Sequence, residues 1–148
     1  SSLLFYQRRS LRRGGFFMRA PLDAEADRTD LAWAVLADIA CSTHEQLQHL
    51  VELTGNEGGP ILGCGGGFQS EALCQMLSDL SGRELRLRAG FRQATVQGLV
   101  TLCNDYLGEV PAKRDSALKT YHPRTGQLIH QYAPAWREAR DRANDIKA

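Results

Sequence analysis

The stretch Ile61-Leu62-Gly63-Cys64-Gly65-Gly66-Gly67-Phe68-Gln69-Ser70-Glu71-Ala72-Leu73 decides how this chain is read. An apolar run stops at three consecutive glycines, and a helical pattern begins directly behind them. That order predicts a strand, a tight loop and a helix N-terminus. Glycine lets the backbone take positive φ and approach a ligand closely, while the free N–H groups and positive dipole end of the next helix suit an anion. A nucleotide is the first ligand to consider. Consecutive glycines also serve simply to turn a strand into a helix, and the loop alone leaves both readings open. Two fingerprints are excluded. Phe68 and Ser70 stand where a G-x-G-x-x-G motif read from Gly63 or Gly65 needs glycine, and no Gly-Lys-Ser/Thr follows for a Walker A loop.

Outward from the loop the chain reads as an α/β order. Leu3 to Gln7 and Gly15 to Met18 form two short strands joined by an Arg-rich turn whose charges also discourage edge pairing. Thr29 is placed as the N-cap of a helix that runs to Thr54 and closes at Gly55 in a left-handed cap. The first half of that helix, Leu31 to Cys41, is apolar almost all round, which predicts burial; Leu47, Leu50 and Val51 make a stripe on the second half. Residues 57–60 are a turn into the strand Ile61 to Cys64, whose wholly apolar sequence places it in the middle of a sheet. Glu84 to Arg88 alternates and suits a strand nearer an edge, with one wet face. Helices are expected over Phe68 to Leu80 and Ala94 to Leu107. Residues 108–126 read as irregular, and a terminal helix carries Tyr132 and Trp136. Sheets of this kind bind ligands beyond the carboxyl ends of their strands, where Gly65 to Gly67 fall.

Composition narrows the class. A chain of 148 residues has room for one domain with a sizeable core, and a net charge of +1 offers no global field for nucleic acid or a membrane surface. No apolar run approaches the roughly 20 residues of a membrane span. The four cysteines, at 41, 64, 74 and 103, show neither C-x-x-C pairing nor metal-ligand spacing, and reduced, buried thiols are expected. His44 and His49 are five apart, not the three or four that align two ligands on one helix face, so no metal site is assigned. An Arg-rich, acid-free beginning before Asp23 has the look of a transit peptide. A hairpin with basic edges accounts for it better, and a cytoplasmic setting is expected.

The order from Gly65-Gly66-Gly67-Phe68-Gln69-Ser70 through Leu77-Ser78-Asp79-Leu80-Ser81-Gly82, the strand to Arg88 and Ala94-Thr95-Val96-Gln97-Gly98 resembles the C-terminal domain of the FGGY carbohydrate kinases. Gly15-Phe16-Phe17-Met18 followed by Asp30-Leu31-Ala32-Trp33 is similar to that family's second signature, and the resemblance spans roughly Gly14 to Leu107. It implies an actin-like ATPase (ribonuclease-H-like) α/β domain, the C-terminal portion of the second domain of a sugar kinase. The segments are then 1–13, a basic strand and turn; 14–108, the nucleotide-binding core; and 109–148, an irregular stretch with the closing helix. The chain departs from the pattern at Ser70, where many members carry Asn, at Arg19, near an expected Gly, at Ala37, where an acid is preferred, and at Leu99, where Ala usually follows Gly98.

By the same resemblance the function is transfer of the ATP γ-phosphate to a hydroxyl of a small sugar, with Mg2+ as the divalent cation. The cofactor-binding residues carried over are Gly65, Gly66, Gly67 and Ser70, with ATP or ADP as partner. No catalytic residue and no metal ligand fall in this chain. Sugar pocket, catalytic base and the Gly-Thr-Ser phosphate motif have no counterpart in it, so the fragment alone is expected to be inactive and to self-associate. Gln69 and Glu71 are candidate ribose contacts, Gly98 is expected to let its helix pack under the loop, and Asp79 to close its helix without acting as base. A non-catalytic nucleotide-binding or interaction module is the alternative.

Overall fold

The computed structural model of the chain describes residues 3–7, 14–18, 27–56, 58–109 and 117–145. Its contacts divide the chain into two units, residues 1–56 with 125–148, and residues 57–124. The three segments read from the sequence are consecutive stretches of chain, whereas the first of these units gathers residues from both ends and the second is continuous.

The first unit holds a hairpin and two helices. Strands β1 (Leu3–Gln7) and β2 (Gly14–Met18) pair antiparallel, Leu3 opposite Met18 and Gln7 opposite Gly14. The Arg-rich turn between them lies outside the described residues. Helix α1 spans Arg28–Thr54 and ends at Gly55, left-handed at φ 65. Its cap is Asp27, not Thr29: the Asp27 carboxylate accepts from the N–H of Thr29 (2.7 Å) and Asp30 (3.0 Å), while Asp30 reaches back to the Asp27 N–H (3.0 Å). This reciprocal box satisfies more of the orphan amides than a threonine hydroxyl two residues later.

Burial along α1 is one-sided. Ala34, Ala37, Asp38, Ala40 and Cys41 are buried, whereas Leu31 and Ile39 are 39% and 36% exposed. The apolar first half therefore covers one stripe, at the i, i+3, i+4, i+7 spacing of a helix packed on a single side. Leu50 is exposed as well. Helix α4 (Leu128–Asp145) supplies the facing side chains, with Pro134 inside it. Trp136 is buried and Trp33 meets Tyr132 edge-on, ring centroids 4.9 Å apart. Both tryptophans thus serve as packing anchors.

The second unit is a three-stranded sheet in the order β3 (Ile61–Gly63), β4 (Leu85–Arg88), β5 (Ala117–Tyr121). Strands β3 and β4 are parallel and β5 is antiparallel to β4, with an irregularity at Leu87/Arg88. The middle strand is thus β4. Strand β3, expected in the middle, is paired on one side among the described residues, and Leu62 is 53% exposed. The alternation of β4 is as expected, with Leu85 and Leu87 buried and Arg86 and Arg88 exposed. Strand β5 lies in the stretch expected to be irregular; its buried contributor is Tyr121.

Helix α2 (Glu71–Ser81) covers the buried face with Leu73, Cys74 and Leu77. Ser78 is buried beside them, its hydroxyl 2.9 Å from the Arg83 carbonyl and 3.0 Å from that of Tyr121. Helix α3 (Ala94–Leu107) buries none of its residues, and Val96, Leu99, Val100, Leu102, Tyr106 and Leu107 are all more than half exposed.

Candidate nucleotide loop

Strand β3 ends at Gly63, a position with no room for a side chain. A Cβ there would lie 2.7 Å from Leu87 Cδ2 and 2.8 Å from Phe68 Cδ1, far inside carbon–carbon contact. Gly65 then takes φ 101 and ψ 169, a conformation that side chains rarely adopt, and the chain enters a 3-10 turn, Gly66–Gln69. Phe68 N–H returns to the Gly65 carbonyl and Ser70 N–H to that of Gly67, both 3.3 Å. Ser70 is the N-cap of α2, its hydroxyl accepting from Leu73 N–H at 3.3 Å, and Cys74 Sγ donates to the Phe68 carbonyl at 3.3 Å.

Gly66 and Gly67 differ from their neighbours. Neither has a positive φ, so the expectation of unusual dihedrals holds in this run only at Gly65. Both are exposed. A Cβ at Gly67 would meet nothing within 4 Å, and one at Gly66 only Gln69 Nε2 at 3.7 Å. None of the bonds that close the turn uses their N–H groups. The fold itself therefore makes no demand for glycine at these two positions. What their bare backbone leaves is an open surface of amides beside the start of α2.

A second loop abuts the first. Beyond β4, Gly90 and a 3-10 turn at Phe91–Gln93 lead into α3, and the Gly65 N–H donates to the Phe91 carbonyl at 2.7 Å. Both loops lie at the carboxyl ends of the parallel pair.

The comparisons with known proteins fit this arrangement. A family model described as the FGGY family of carbohydrate kinases, C-terminal domain, matches residues 4–104. The chain belongs to that family. It is 31% identical over 137 residues to "Putative sugar kinase YoaC" of Bacillus subtilis (strain 168), covering 93% of this chain and 28% of that protein. Among solved structures, xylulose kinase from Rhodospirillum rubrum aligns with TM-score 0.67 at 12% identity, over 98% of this chain and 31% of that one. Plasmodium falciparum glycerol kinase with ADP aligns with TM-score 0.60 at 17% identity, over 95% and 30%. The fold is thus the actin-like one of the FGGY kinases, and the chain spans under a third of the length of these relatives.

Other residues of this FGGY chain take defined places. Asp79 is buried and accepts from Arg124 N–H (2.8 Å), Arg124 Nη2 (2.9 Å) and Gln75 Nε2 (2.8 Å). Burial alone would raise its carboxyl, but these bonds outweigh it and hold the group below the usual carboxylate range. It ties α2 to the chain leaving β5. Glu71 pairs with Lys119, and Gln69 is exposed on the turn. A Cβ at Gly98 would meet nothing within 4 Å, so the expected close packing of α3 under the loop is not found.

Cys41 and Cys74 are buried as expected, but Cys64 and Cys103 are exposed, one at the mouth of the glycine loop and one on a helix that buries nothing. His49 and His122 lie beside Glu52 and Glu84, and among the described residues no three His, Cys, Asp or Glu side chains form a cluster that could hold a metal ion. Nor, among those residues, is any helix long and apolar enough to cross a membrane.

Sequence reasoning passed over Asp38. It is 2% exposed and accepts from Trp136 Nε1 at 2.6 Å, and burial pushes its carboxyl up to about 6 against that bond and the charge of Arg140. The signal was present: Asp38 falls on the Ala34–Ala37–Cys41 stripe, where an acid needs an indole or a cation opposite.

Proposed function

We propose that the chain is the nucleotide-binding part of an ATP-dependent carbohydrate kinase, holding ATP or ADP at Gly65, Gly66, Gly67 and Ser70. The observation that carries this reading is the contrast within the glycine run. Gly63 and Gly65 are required by packing and φ, whereas Gly66 and Gly67 are free of both demands and leave open backbone where a ligand can approach. Family membership adds the chemical class, and the P. falciparum glycerol kinase was solved with ADP.

In the whole enzyme a hydroxyl oxygen of a small sugar attacks the γ-phosphorus. The bond to the β–γ bridging oxygen breaks, ADP leaves, and the hydroxyl proton passes to a base. This chain's share is to seat and orient the nucleotide, which converts an encounter into a positioned reaction. Ser70 keeps the N-terminus of α2 in place and presents its hydroxyl next to the turn. Mg2+ would offset phosphate charge when bound. The described residues offer no cluster of ligands for it, so no step of this chain is routed through the ion. The setting is cytoplasmic, where ATP is supplied.

The alternative reading is a non-catalytic nucleotide-binding or interaction module, which shares the nucleotide site with the first. Calorimetric titration with ATP tests the shared half: binding that Gly66→Val abolishes supports it, and equal binding by both forms rejects it. Sugar-dependent ADP release from the 148-residue chain would overturn the statement that base and sugar pocket lie elsewhere.

A further inference from the structure

The glycine loop is bare of charge. It is joined by the Gly65 N–H···Phe91 carbonyl bond of 2.7 Å to a turn that is not. The residue after Phe91 is Arg92, exposed, with its guanidinium carbon 5.8 Å from the centre of the Phe91 ring. Phe91 itself is buried at 9% exposure, so the turn that carries Arg92 is fixed at its root by an aromatic anchor and by the bond to the loop. Among the described residues of this unit, Arg86 holds Glu84, Lys119 holds Glu71, Arg124 holds Asp79, and Arg83 donates to the carbonyls of Gly58 and Gly59, while Arg88, like Arg92, is in no ion pair. Among the described residues no carboxylate lies within ion-pair reach of Arg92. The acid nearest in sequence to the glycine loop, Glu71, is already neutralised by Lys119.

We infer that Arg92 supplies the positive charge of this nucleotide site, its guanidinium meeting a phosphate oxygen of a nucleotide seated on Gly66 and Gly67. The inference rests on the nucleotide reading above and adds the group that distinguishes a nucleotide from a nucleoside. Backbone amides recognise an anion weakly in water. A guanidinium brings a permanent charge and a planar fork of donors that matches phosphate, and an aromatic face beneath it limits the rotamers it must give up on binding. Arg88, at the end of β4, shares the exposed face of that strand with Arg86 and carries no such anchor.

The test uses ADP and adenosine as probes, titrated calorimetrically into the 148-residue chain, Arg92→Gln, Arg92→Lys and Gly66→Val, each checked for native circular dichroism. Arg92→Gln is expected to weaken ADP about tenfold or more, as the loss of a charged hydrogen bond does, and to leave adenosine unchanged. Arg92→Lys retains part of the preference. Gly66→Val weakens both ligands. If the chain binds ADP, Gly66→Val abolishes it and Arg92→Gln binds ADP as well as the original chain, the Arg92 inference is overturned while the loop reading stands. If the original chain binds neither probe, both are overturned.

Discussion

Replacing Gly63 by alanine separates the glycines that build the loop from those that face a ligand. The new Cβ would sit 2.7 Å from Leu87 Cδ2 and 2.8 and 3.1 Å from Phe68 Cδ1 and Cε1. Unstrained carbon contacts need about 3.5–4.0 Å, so two side chains must each retreat by close to 1 Å. Leu87 is 3% exposed and has nowhere to go; Phe68 is half-buried and takes up part of the movement. Overpacking of this kind costs about 1–3 kcal/mol, and the entropy removed from the unfolded chain returns about 0.4–1 kcal/mol, leaving a net loss of about 1–2 kcal/mol. Gly65→Ala should lose about 1–3 kcal/mol through its φ of 101. Gly67→Ala meets nothing and needs no unusual φ, so it should stay within about 0.5 kcal/mol of the original. Urea unfolding of the three variants gives the answer as midpoint shifts at constant slope. A Gly63→Ala chain as stable as the original, or a Gly67→Ala chain as damaged as Gly63→Ala, would refute the division of the loop into structural and ligand-facing glycines.

The remaining expectations concern the rest of the chain. Asp38, raised to about 6 in the fold against about 3.9 in the unfolded chain, contributes stability that is fully present below pH 4 and lost as pH rises through 6. Between pH 5 and 7 that is a loss of about 1 kcal/mol. His44, lowered by burial, acts in the opposite sense, so the Asp38 share is read as the difference between the original chain and Asp38→Asn in thermal unfolding at each pH; identical slopes would exclude it. Asp79→Ala should cost about 2 kcal/mol by leaving the Gln75 and Arg124 donors without their acceptor, partly screened because Arg124 is exposed, and a change under 0.5 kcal/mol in urea unfolding would deny the clasp a role. The apolar surface of α3 should drive association of the isolated chain. Leu99→Lys with Val100→Lys, at positions 58% and 53% exposed, should shift sedimentation toward monomer, and an original chain that is already monodisperse would contradict this.

Local signals were readable and relational ones were not. The run from Gly63 to Ser70 announced strand, loop and helix because each step is written in adjacent residues, and Gly55 and Ala94–Leu107 were placed for the same reason. Strand β5 was hidden because, of its described side chains from Leu118 to Tyr121, Tyr121 alone is buried, and the stretch lies between two prolines. The apolar run of β3 pointed to a middle strand, yet β4, with its alternation, is the one paired on both sides, since pairing depends on which strand returns and not on hydropathy. Thr29 lost the cap to Asp27 because Asp30 completes the box from inside the helix. Gly98 and Cys103 read as packed positions on a helix that, among the described residues, meets no core at all. At the site, the glycines were visible as a motif. Which two are free of packing and φ demands needed the surroundings of each glycine, and that the Phe91–Gln93 turn abuts the run needed the bond from Gly65 to Phe91.

Amide chemical-shift mapping with ATP tests the central claim most directly, since it reports binding residue by residue in the chain as it stands. The account predicts saturable shifts largest at Gly66, Gly67, Phe68 and Ser70, with Phe91 and Arg92 next, and little change in α4. Shifts that leave Gly66 and Gly67 unmoved while ATP binds elsewhere, or no saturable shifts at all, would contradict it.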